Sequence, residues 1–229
     1  NKLNNNNDVE VIILVGDGKT FFAGADISEF GKPMKDPDLS SVIAHFEEST
    51  KPIVAALHGT PLGGGLELAM GCHYRVALNN TSMGLPEVKL GIIPGAGGTQ
   101  RLPRLVGIEK SLKMITSGNP INAQKALNYG LISEVYENNL IENAKSFILK
   151  KLSINEHPIT SKDDEKIKGV FDDIFIKFRK TTKKRNRGRN SPLCAIEAVE
   201  KSTKSSFEEG LEKERSLFKE CHDSLESTS

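Results

Sequence analysis

The chain has 229 residues, enough for one large domain or one and a half, and for a sizeable core. Hydrophobic residues make up 37% of it and 20 glycines add to that apolar share, which excludes disorder of the whole chain. The 31 basic and 30 acidic side chains leave a formal charge of +1, which excludes a global field that would draw the protein to nucleic acid or an anionic membrane.

The first half of the chain alternates apolar runs of strand length with helical patterns. Buried strands are predicted at Val9–Val15, Pro52–Leu57 and Tyr74–Leu78, because these runs are apolar and rich in β-branched residues. Helices are predicted over Leu39–Ser49 and Leu66–Gly71. This alternation indicates right-handed βαβ connections and an α/β fold.

The second half is predicted to be mainly helical. From Met83 to Gly98 the pattern is irregular, as in long loops that carry functional residues. The further predicted elements are a strand at Leu131–Tyr136 and helices at Gln100–Leu105, Glu109–Thr116, Ala123–Tyr129, Ile141–Leu152, Leu193–Ser202 and Ser206–Leu225.

Two segments between these late helices carry separate expectations. Asp163–Phe178 has apolar residues at helical spacing, which predicts a helix whose stripe from Ile167 to Phe178 packs in the core or against another domain. The run Lys177–Arg189 holds eight basic residues in thirteen and is predicted to form an exposed loop.

Several common kinds of site are excluded by their motifs. GAGGTQ lacks the Lys and Ser or Thr of a phosphate-binding loop, and GGGLEL lacks the glycine spacing of a dinucleotide fold. The cysteines Cys72, Cys194 and Cys221 lie far apart and are odd in number, which argues against disulfides and a zinc site and favours a reducing compartment. None of them has the basic, glycine-flanked setting of a nucleophile. No apolar run approaches the ~20 residues of a membrane span, so a soluble protein with no membrane partner is expected.

Glycines frame two places where backbone N–H groups can stabilise an oxyanion. Gly63–Gly65 opens a short helix, and the first N–H groups of a helix carry a partial positive charge. The segment Phe21–Ile27 turns at Gly24, and its small residues allow a second N–H group to approach the same oxygen. Two such donors on one thioester oxygen would form an oxyanion hole.

Glu67 follows the first glycines and Glu87 lies in GLPEV, and both stand among apolar neighbours. A carboxylate in apolar surroundings has a raised pKa, as a general acid or base working near neutrality requires. The alternative interpretation is that Glu67 caps the helix start and Glu87 faces solvent from a loop. The residues alone leave both interpretations open.

Four motifs occur in the order typical of one family: FFAGADI, KPIVAALHGTPLGGGLELA, MGLPEVKLGIIPGAGGTQRLPRLVG and SGNPINAQKALNYGLI. On these motifs the chain resembles the enoyl-CoA hydratase/isomerase (crotonase) superfamily from about Val9 to Val135. GLELAMGCHYRVA and the C-terminal SPLCAIEAVEKSTKSSFEEGLEKERSLF resemble the hydratase domain that begins the peroxisomal multifunctional β-oxidation enzymes. The resemblance implies an α/β fold, a crotonase-like spiral of ββα units followed by a helical C-terminal region.

The resemblance also implies roles for individual residues. The oxyanion-hole amides fall on Ala25 and Gly64, and the catalytic glutamates fall on Glu67 and Glu87. Gly95 matches a glycine whose amide lies near the catalytic water. The candidate CoA contacts are Ala23, Asp26 and Ile27. Asp26 could equally cap a helix instead of contacting CoA.

The implied reaction is the hydration of a trans-2-enoyl-CoA to a 3-hydroxyacyl-CoA in fatty-acid β-oxidation. Glu67 would position and deprotonate the water, Glu87 would supply the proton to C2, and the two amides would hold the enolate oxygen. Family members that keep only the acid at Glu87 tend to be isomerases, so Δ3-Δ2 isomerisation is a second candidate activity. No metal and no redox cofactor are expected, since coenzyme A enters as part of the substrate.

The resemblance also gives expectations about the domain organisation, the oligomeric state and the cellular location of the protein. A crotonase-type core, shortened at its N-terminus, is predicted over residues 1–155, and a helical region over 156–229 is predicted to lead into a 3-hydroxyacyl-CoA dehydrogenase part. Single-domain relatives form trimers or hexamers, whereas the multifunctional chains act as monomers. The subgroup implies a peroxisomal location, with a mitochondrial or cytoplasmic one as the alternative.

Two competing functions come from other classes of protein. The basic run Lys177–Arg189 has enough charge to bind RNA phosphates, but Phe178 is its one aromatic residue, so stacking on bases has little support. A solvated loop explains the same run without any ligand. The other competitor is a catalytically silent CoA-binding scaffold, which the presence of both glutamates disfavours.

Overall fold

The computed structural model describes residues 2–24, 37–154, 156–185 and 188–224. The chain forms two compact units, the first made of Asn1–Met83 and Ile121–Thr160 and the second of Gly84–Pro120 and Ser161–Ser229. Both units therefore contain segments that are distant in sequence. The predicted division between residues 155 and 156 concerns family domains and stays a prediction.

The elements of both units follow in chain order. The strands are β1 (Ile12–Val15), β2 (Ile53–Leu57), β3 (Tyr74–Leu78), β4 (Ser82–Met83), β5 (Ile121–Asn122) and β6 (Glu134–Tyr136). The helices are α1 (Leu39–Glu47), α2 (Gly64–Met70), α3 (Gly98–Val106), α4 (Ile108–Ser117), α5 (Ala123–Tyr129), α6 (Leu140–Leu149), α7 (Asp173–Arg185), α8 (Ser191–Lys201) and α9 (Phe207–His222). Short 3-10 turns lie at Glu87–Leu90 and Thr160–Lys162.

A parallel sheet forms the centre of the first unit. Its strand order is β1-β2-β3-β6, and β4 and β5 form a separate short antiparallel pair. Every residue of β2 is buried, as the unbroken apolar run of an interior parallel strand predicts. The α/β arrangement predicted for the first half of the chain is therefore present in this unit.

Helix α6 covers one face of this sheet. Its Phe147 ring meets Tyr74 of β3 edge-on, with 5.5 Å between the ring centroids. The other buried members of this cluster are Val54, Ala56, Val76, Leu140, Ala144 and Ile148. This cluster holds the sheet in place, and α2 follows its strand β2 in the chain.

Arg75 anchors the turn that follows α2. Arg75 follows Tyr74 along β3, so its side chain points to the opposite face of the sheet, and it is 6% exposed. Its guanidinium donates to the Cys72 carbonyl at 2.7 Å and to the Leu131 carbonyl at 2.8 Å. Burial lowers the pKa of Arg75 to about 10, so the side chain stays charged near neutrality and keeps these bonds.

Cys72 and His73, which follow α2, are packed residues of the first unit. Both are buried, and His73 Nδ1 accepts a hydrogen bond from the Ile53 N–H at 3.0 Å. Burial, together with the nearby His157 and Arg75, lowers the pKa of His73 to about 4. Burial raises the pKa of the Cys72 thiol to about 12, which leaves it protonated and unreactive.

The second unit is helical and is arranged around α8. This helix packs against α3, α4, α7 and α9. Its small buried residues, including Ala195 and Ala198, allow close approach. Helix α9 begins with a capping box in which Ser206 and Glu209 each bond the other's backbone N–H. No helix among the described residues is long and apolar enough to span a membrane.

The predicted helix over Asp163–Phe178 is wrong in its start. Helix α7 begins at Asp173, because the chain turns through Gly169 at a φ of +66°, which interrupts any helix begun earlier. The predicted apolar stripe consists of Ile167, Val170, Phe171, Ile174 and Phe178, and it is confirmed only in part. Ile167 is buried, but Phe171 is 83% exposed, while Phe175, which is not a member of the stripe, is fully buried.

The predicted loop over Lys177–Arg189 is also wrong for most of its length. Helix α7 continues through Arg185, because Lys and Arg favour helices and cations are stabilised at a helix C-terminus. The expected exposure holds for Lys180, Lys183 and Lys184. The basic run is thus largely an exposed helix face.

Candidate active site

The glycine cluster Gly63–Gly65 starts α2 without any side-chain cap. Gly63 has φ +53° and ψ −129°, a conformation that side chains with a Cβ rarely adopt, and it turns the chain into the helix. Within the described part of the chain, the Gly64 N–H has no hydrogen-bond acceptor. The helix therefore presents an unused backbone donor at its first residue.

The segment Phe21–Gly24 lies against this helix start. A Cβ built on Gly65 would lie 2.5 Å from the Phe22 carbonyl carbon, so only glycine permits this approach. Phe21 is 2% exposed, and its N–H donates to the His58 carbonyl at 3.0 Å. Ala23 follows on the exposed side of the segment. The remaining predicted residues of this motif, Ala25, Asp26 and Ile27, lie outside the described residues.

Glu67 sits on the first turn of α2 and is 3% exposed. Its neighbours Leu66, Ala69 and Met70 are fully buried. An acidic residue so placed does not face solvent. The helix thus carries a buried carboxyl group three residues after the amide of Gly64.

Glu87 begins the 3-10 turn Glu87–Leu90 in the second unit. Its side chain is half-buried, and Leu85 and Val88 beside it are buried. The turn ends at Gly91, whose φ of +78° lets the Ile92 N–H return to the Glu87 carbonyl at 3.3 Å. The irregular pattern around this residue therefore folds as an ordered turn.

Gly95 lies in the loop that leads into α3. The ring of Phe218 from α9 packs against it, since a Cβ on Gly95 would lie 2.8 Å from Phe218 Cδ2. Among the described residues, the Gly95 N–H has no hydrogen-bond acceptor. Two residues later, Gly97 is the N-cap of α3 and has a φ of +95°.

The predicted site residues divide between the two units. Ala23, Gly64 and Glu67 belong to the first unit, where they lie on one helix and the segment packed against it. Glu87 and Gly95 belong to the second unit, on successive turns of the same irregular stretch. No group of three metal-ligating side chains occurs in the part of the chain that the structure describes.

Sequence reasoning missed Glu214, a buried carboxylate beside Gly97. On α9 it is 1% exposed and accepts a hydrogen bond from the Gly97 N–H at 2.6 Å. A signal was available, because Glu214 falls on the helical stripe of Phe207, Leu211 and Phe218. A charged residue on an apolar stripe indicates a buried partner.

Comparisons with known proteins agree on one family. A family model described as enoyl-CoA hydratase/isomerase matches residues 1–165. The peroxisomal bifunctional enzyme of Danio rerio is 40% identical over 214 residues, which cover 92% of this chain and 29% of that protein. A probable enoyl-CoA hydratase of Bacillus subtilis is 49% identical over 152 residues, which cover 62% of this chain and 58% of that protein.

A solved structure supports the same assignment. The crystal structure of an enoyl-CoA hydratase from Bacillus anthracis superposes with a TM-score of 0.60 at 30% identity, over 95% of this chain and 75% of that one. The predicted crotonase-like fold class is thereby confirmed. The chain spans 29% of the length of the Danio rerio relative, so it corresponds to one part of that protein. The family model and these relatives together show that the chain belongs to the enoyl-CoA hydratase/isomerase family.

Proposed function

We propose that this chain hydrates trans-2-enoyl-CoA thioesters to 3-hydroxyacyl-CoA thioesters in fatty-acid β-oxidation. The observation that carries the proposal is the pairing, on one short helix, of the buried Glu67 with the unused amide of Gly64. One group moves a proton and the other stabilises an oxyanion, which are the two requirements for adding water beside a thioester.

In the proposed reaction the thioester oxygen accepts hydrogen bonds from the Gly64 and Ala25 N–H groups. Negative charge grows on this oxygen as water adds to C3, so both bonds strengthen in the transition state. Glu67 takes one proton from the water and Glu87 delivers one to C2. Proton exchange with solvent then restores both carboxyl groups for the next turnover.

Three further residues complete the proposed site. The Gly95 amide holds the attacking water in place, while Ala23, Asp26 and Ile27 contact coenzyme A. No metal or redox cofactor is required, because the backbone amides stabilise the charge and the carboxyl groups move the protons. The support is the resemblance of the motifs, together with the unused N–H groups of Gly64 and Gly95.

Location, assembly and a second activity follow as parts of the same proposal. Relatives named as peroxisomal bifunctional enzymes support a peroxisomal location and a place within a longer chain. The motif resemblance implies that a 3-hydroxyacyl-CoA dehydrogenase part belongs to that longer chain. Acyl-CoA is the proposed partner, and trimer, hexamer and monomer within a longer chain are the candidate assemblies. Family members that keep only the acid at the position of Glu87 tend to be isomerases, which supports Δ3-Δ2 isomerisation by Glu87 as a second activity.

The test follows the loss of the conjugated enoyl absorbance when the protein is mixed with a short trans-2-enoyl-CoA. Glu67→Gln and Glu87→Gln each keep the side-chain shape and remove the ionisable group. We expect hydration by each variant to fall by about 100-fold or more, the usual scale for a lost acid–base group. Glu142→Gln, an exposed glutamate on α6, is the matched control and should retain full activity.

The outcomes separate the competing functions. Wild-type activity in both glutamine variants would overturn the proposed roles of Glu67 and Glu87. An inert wild type that still binds the thioester would favour a silent scaffold. RNA binding that collapses with moderate salt and survives Glu67→Gln, combined with absent hydration, would favour a binding role for the exposed lysines of α7.

A further inference from the structure

We infer that Glu214 is a positioning residue for hydration, because its carboxylate holds the backbone of the loop that carries Gly95. The inference rests on the proposed function, in which the Gly95 amide positions the attacking water. All the residues involved belong to the second unit.

Glu214 accepts hydrogen bonds from donors at the start of α3. Oε1 accepts from the Gly97 N–H at 2.6 Å, and Oε2 accepts from the Thr99 N–H at 2.9 Å. The Thr99 hydroxyl donates to the same Oε2 at 2.5 Å. Both oxygens are thus used by residues that lie two and four positions after Gly95.

A carboxylate is the side chain that this position requires. Both of its oxygens are acceptors, and the start of α3 supplies only N–H and O–H donors together with the positive end of the helix dipole. A glutamine would turn its NH2 group towards one set of these donors. Because Glu214 is 1% exposed, water cannot readily replace the lost bond.

Neighbouring turns of α9 hold the same loop by packing. Leu211, one turn earlier, lies 3.2 Å from a Cβ built on Gly97, and Phe218, one turn later, lies 2.8 Å from one built on Gly95. These side chains leave no room for the loop to move towards α9. The carboxylate keeps it from moving away, so Glu214 fixes the Gly95 amide without touching the substrate.

The experiment measures kcat and KM for trans-2-enoyl-CoA hydration in Glu214→Gln. Misplacing a reacting group by about 1 Å can cost about 100-fold in rate, and a loosened loop should cost at least about tenfold in kcat. KM should change less than about twofold, because no substrate contact is removed. Glu212→Gln makes the same charge change on the exposed face of α9 and should match the wild type.

A second variant covers the case in which Glu214→Gln does not fold. Thr99→Val removes the hydroxyl bond to Glu214, together with the hydrogen bond that this hydroxyl accepts from Gln100 Nε2, and keeps the Thr99 N–H bond to Glu214. We expect about a threefold loss of kcat at unchanged KM, a smaller effect in the same direction. Wild-type kcat in a folded Glu214→Gln, or equal changes in kcat and KM, would overturn the inference.

Hydrogen exchange separates this inference from the proposed function. In Glu214→Gln, the Gly97 and Thr99 amides should exchange at least about tenfold faster than in the wild type, while the amides of β2 stay unchanged. If the wild type hydrates no enoyl-CoA but exchange in Glu214→Gln is faster, the proposed function is overturned while the hold of Glu214 on this loop is not. Unchanged exchange at Gly97 and Thr99 would remove the positioning role whatever the activity.

Discussion

Two glycine clusters precede helices in this protein, and the N–H groups of Gly64 and Gly97, which lie at the two helix starts, differ in whether the fold bonds them. Gly63–Gly65 opens α2 with no side-chain cap, and the Gly64 N–H has no acceptor among the described residues. The cluster at Gly95–Gly98 opens α3, and there the buried Glu214 accepts from Gly97. The Gly64 N–H is thus unused, whereas the Gly97 N–H is bonded within the fold, and only the Gly95 N–H two residues earlier resembles Gly64 in having no acceptor among the described residues of this cluster.

The difference shows what a glycine-rich helix start does and does not indicate. Both clusters bring backbone N–H groups together, because glycine permits the turn that precedes each helix. Whether those groups are available depends on a side chain from elsewhere in the fold. At α3 that side chain lies 117 residues further along the chain. A ligand-binding interpretation therefore needs a search for internal acceptors as well as the motif.

The strongest way to break the comparison is Gly65→Ala in the first cluster. The new Cβ would lie 2.5 Å from the Phe22 carbonyl carbon and closer still to its oxygen, so Phe21–Gly24 must move away from α2. We expect the free energy of unfolding to fall by about 3 kcal/mol, the upper range for an overpacked site. Urea unfolding measures this change, and the enoyl-CoA assay should show at least about 100-fold lower activity because the segment leads to Ala25. Wild-type stability and activity would show that the approach of Phe22 to Gly65 is not required.

Lowering the pH is a milder way to destabilise the first unit, which contains the first cluster. Burial lowers the pKa of His73 to about 4, and an unfolded histidine titrates near 6.5. The unfolded state therefore binds more protons between these values, so stability falls as the pH falls from about 6.5 to about 4. We expect His73 to account for a loss on the order of 2 kcal/mol across this window.

The matched variants for this pH effect are His73→Asn and His45→Asn. Asparagine at position 73 keeps an acceptor for the Ile53 N–H and removes the titration, so the stability of this variant should vary less with pH. His45 is exposed, and its replacement should leave the pH dependence of the wild type. Identical pH profiles for the wild type and His73→Asn would contradict the assignment.

The smallest effect is expected from Gly97→Ala in the second cluster. Its φ of +95° strains alanine, and the new Cβ would meet Leu211 at 3.2 Å as well as the movable end of Arg101. Gly169→Ala is the matched control, because Gly169 also has a positive φ, of +66°, but has open space around it. We expect a loss of about 1.5 kcal/mol for Gly97→Ala against about 1 kcal/mol for the control, measured by thermal unfolding. Equal losses would show that packing by α9 does not constrain this loop.

The sequence predicts local features of this fold better than distant ones. The helix start at Gly63–Gly65 and the strand Ile53–Leu57 follow from short runs whose composition determines their conformation. The start of α7 does not follow from a short run, because Gly169, Asp172 and Asp173 interrupt an apolar pattern that begins earlier. Helical spacing alone could not show which of Phe171 and Phe175 is buried.

The same distinction between local and distant features applies to the candidate site. Motif resemblance assigns Glu67 and Glu87, and the burial of Glu67 agrees with an acid–base role, although the roles themselves stay predictions. Glu214 and Arg75 could not be assigned, since each bonds backbone groups supplied by other elements of the fold. Their only trace in the sequence is a charged residue in an otherwise apolar strand or stripe.

The central claim is that the Gly64 amide is available to a ligand and the Gly97 amide is not. The most direct measurement is the NMR shift of glycine amides, in protein labelled with 15N-glycine, on addition of a short saturated acyl-CoA that binds without reacting. We predict a large downfield proton shift for Gly64, as its N–H gains an acceptor, and a much smaller change for Gly97. An unmoved Gly64 signal in the saturated complex, or a shift at Gly97 as large as that at Gly64, would contradict the account.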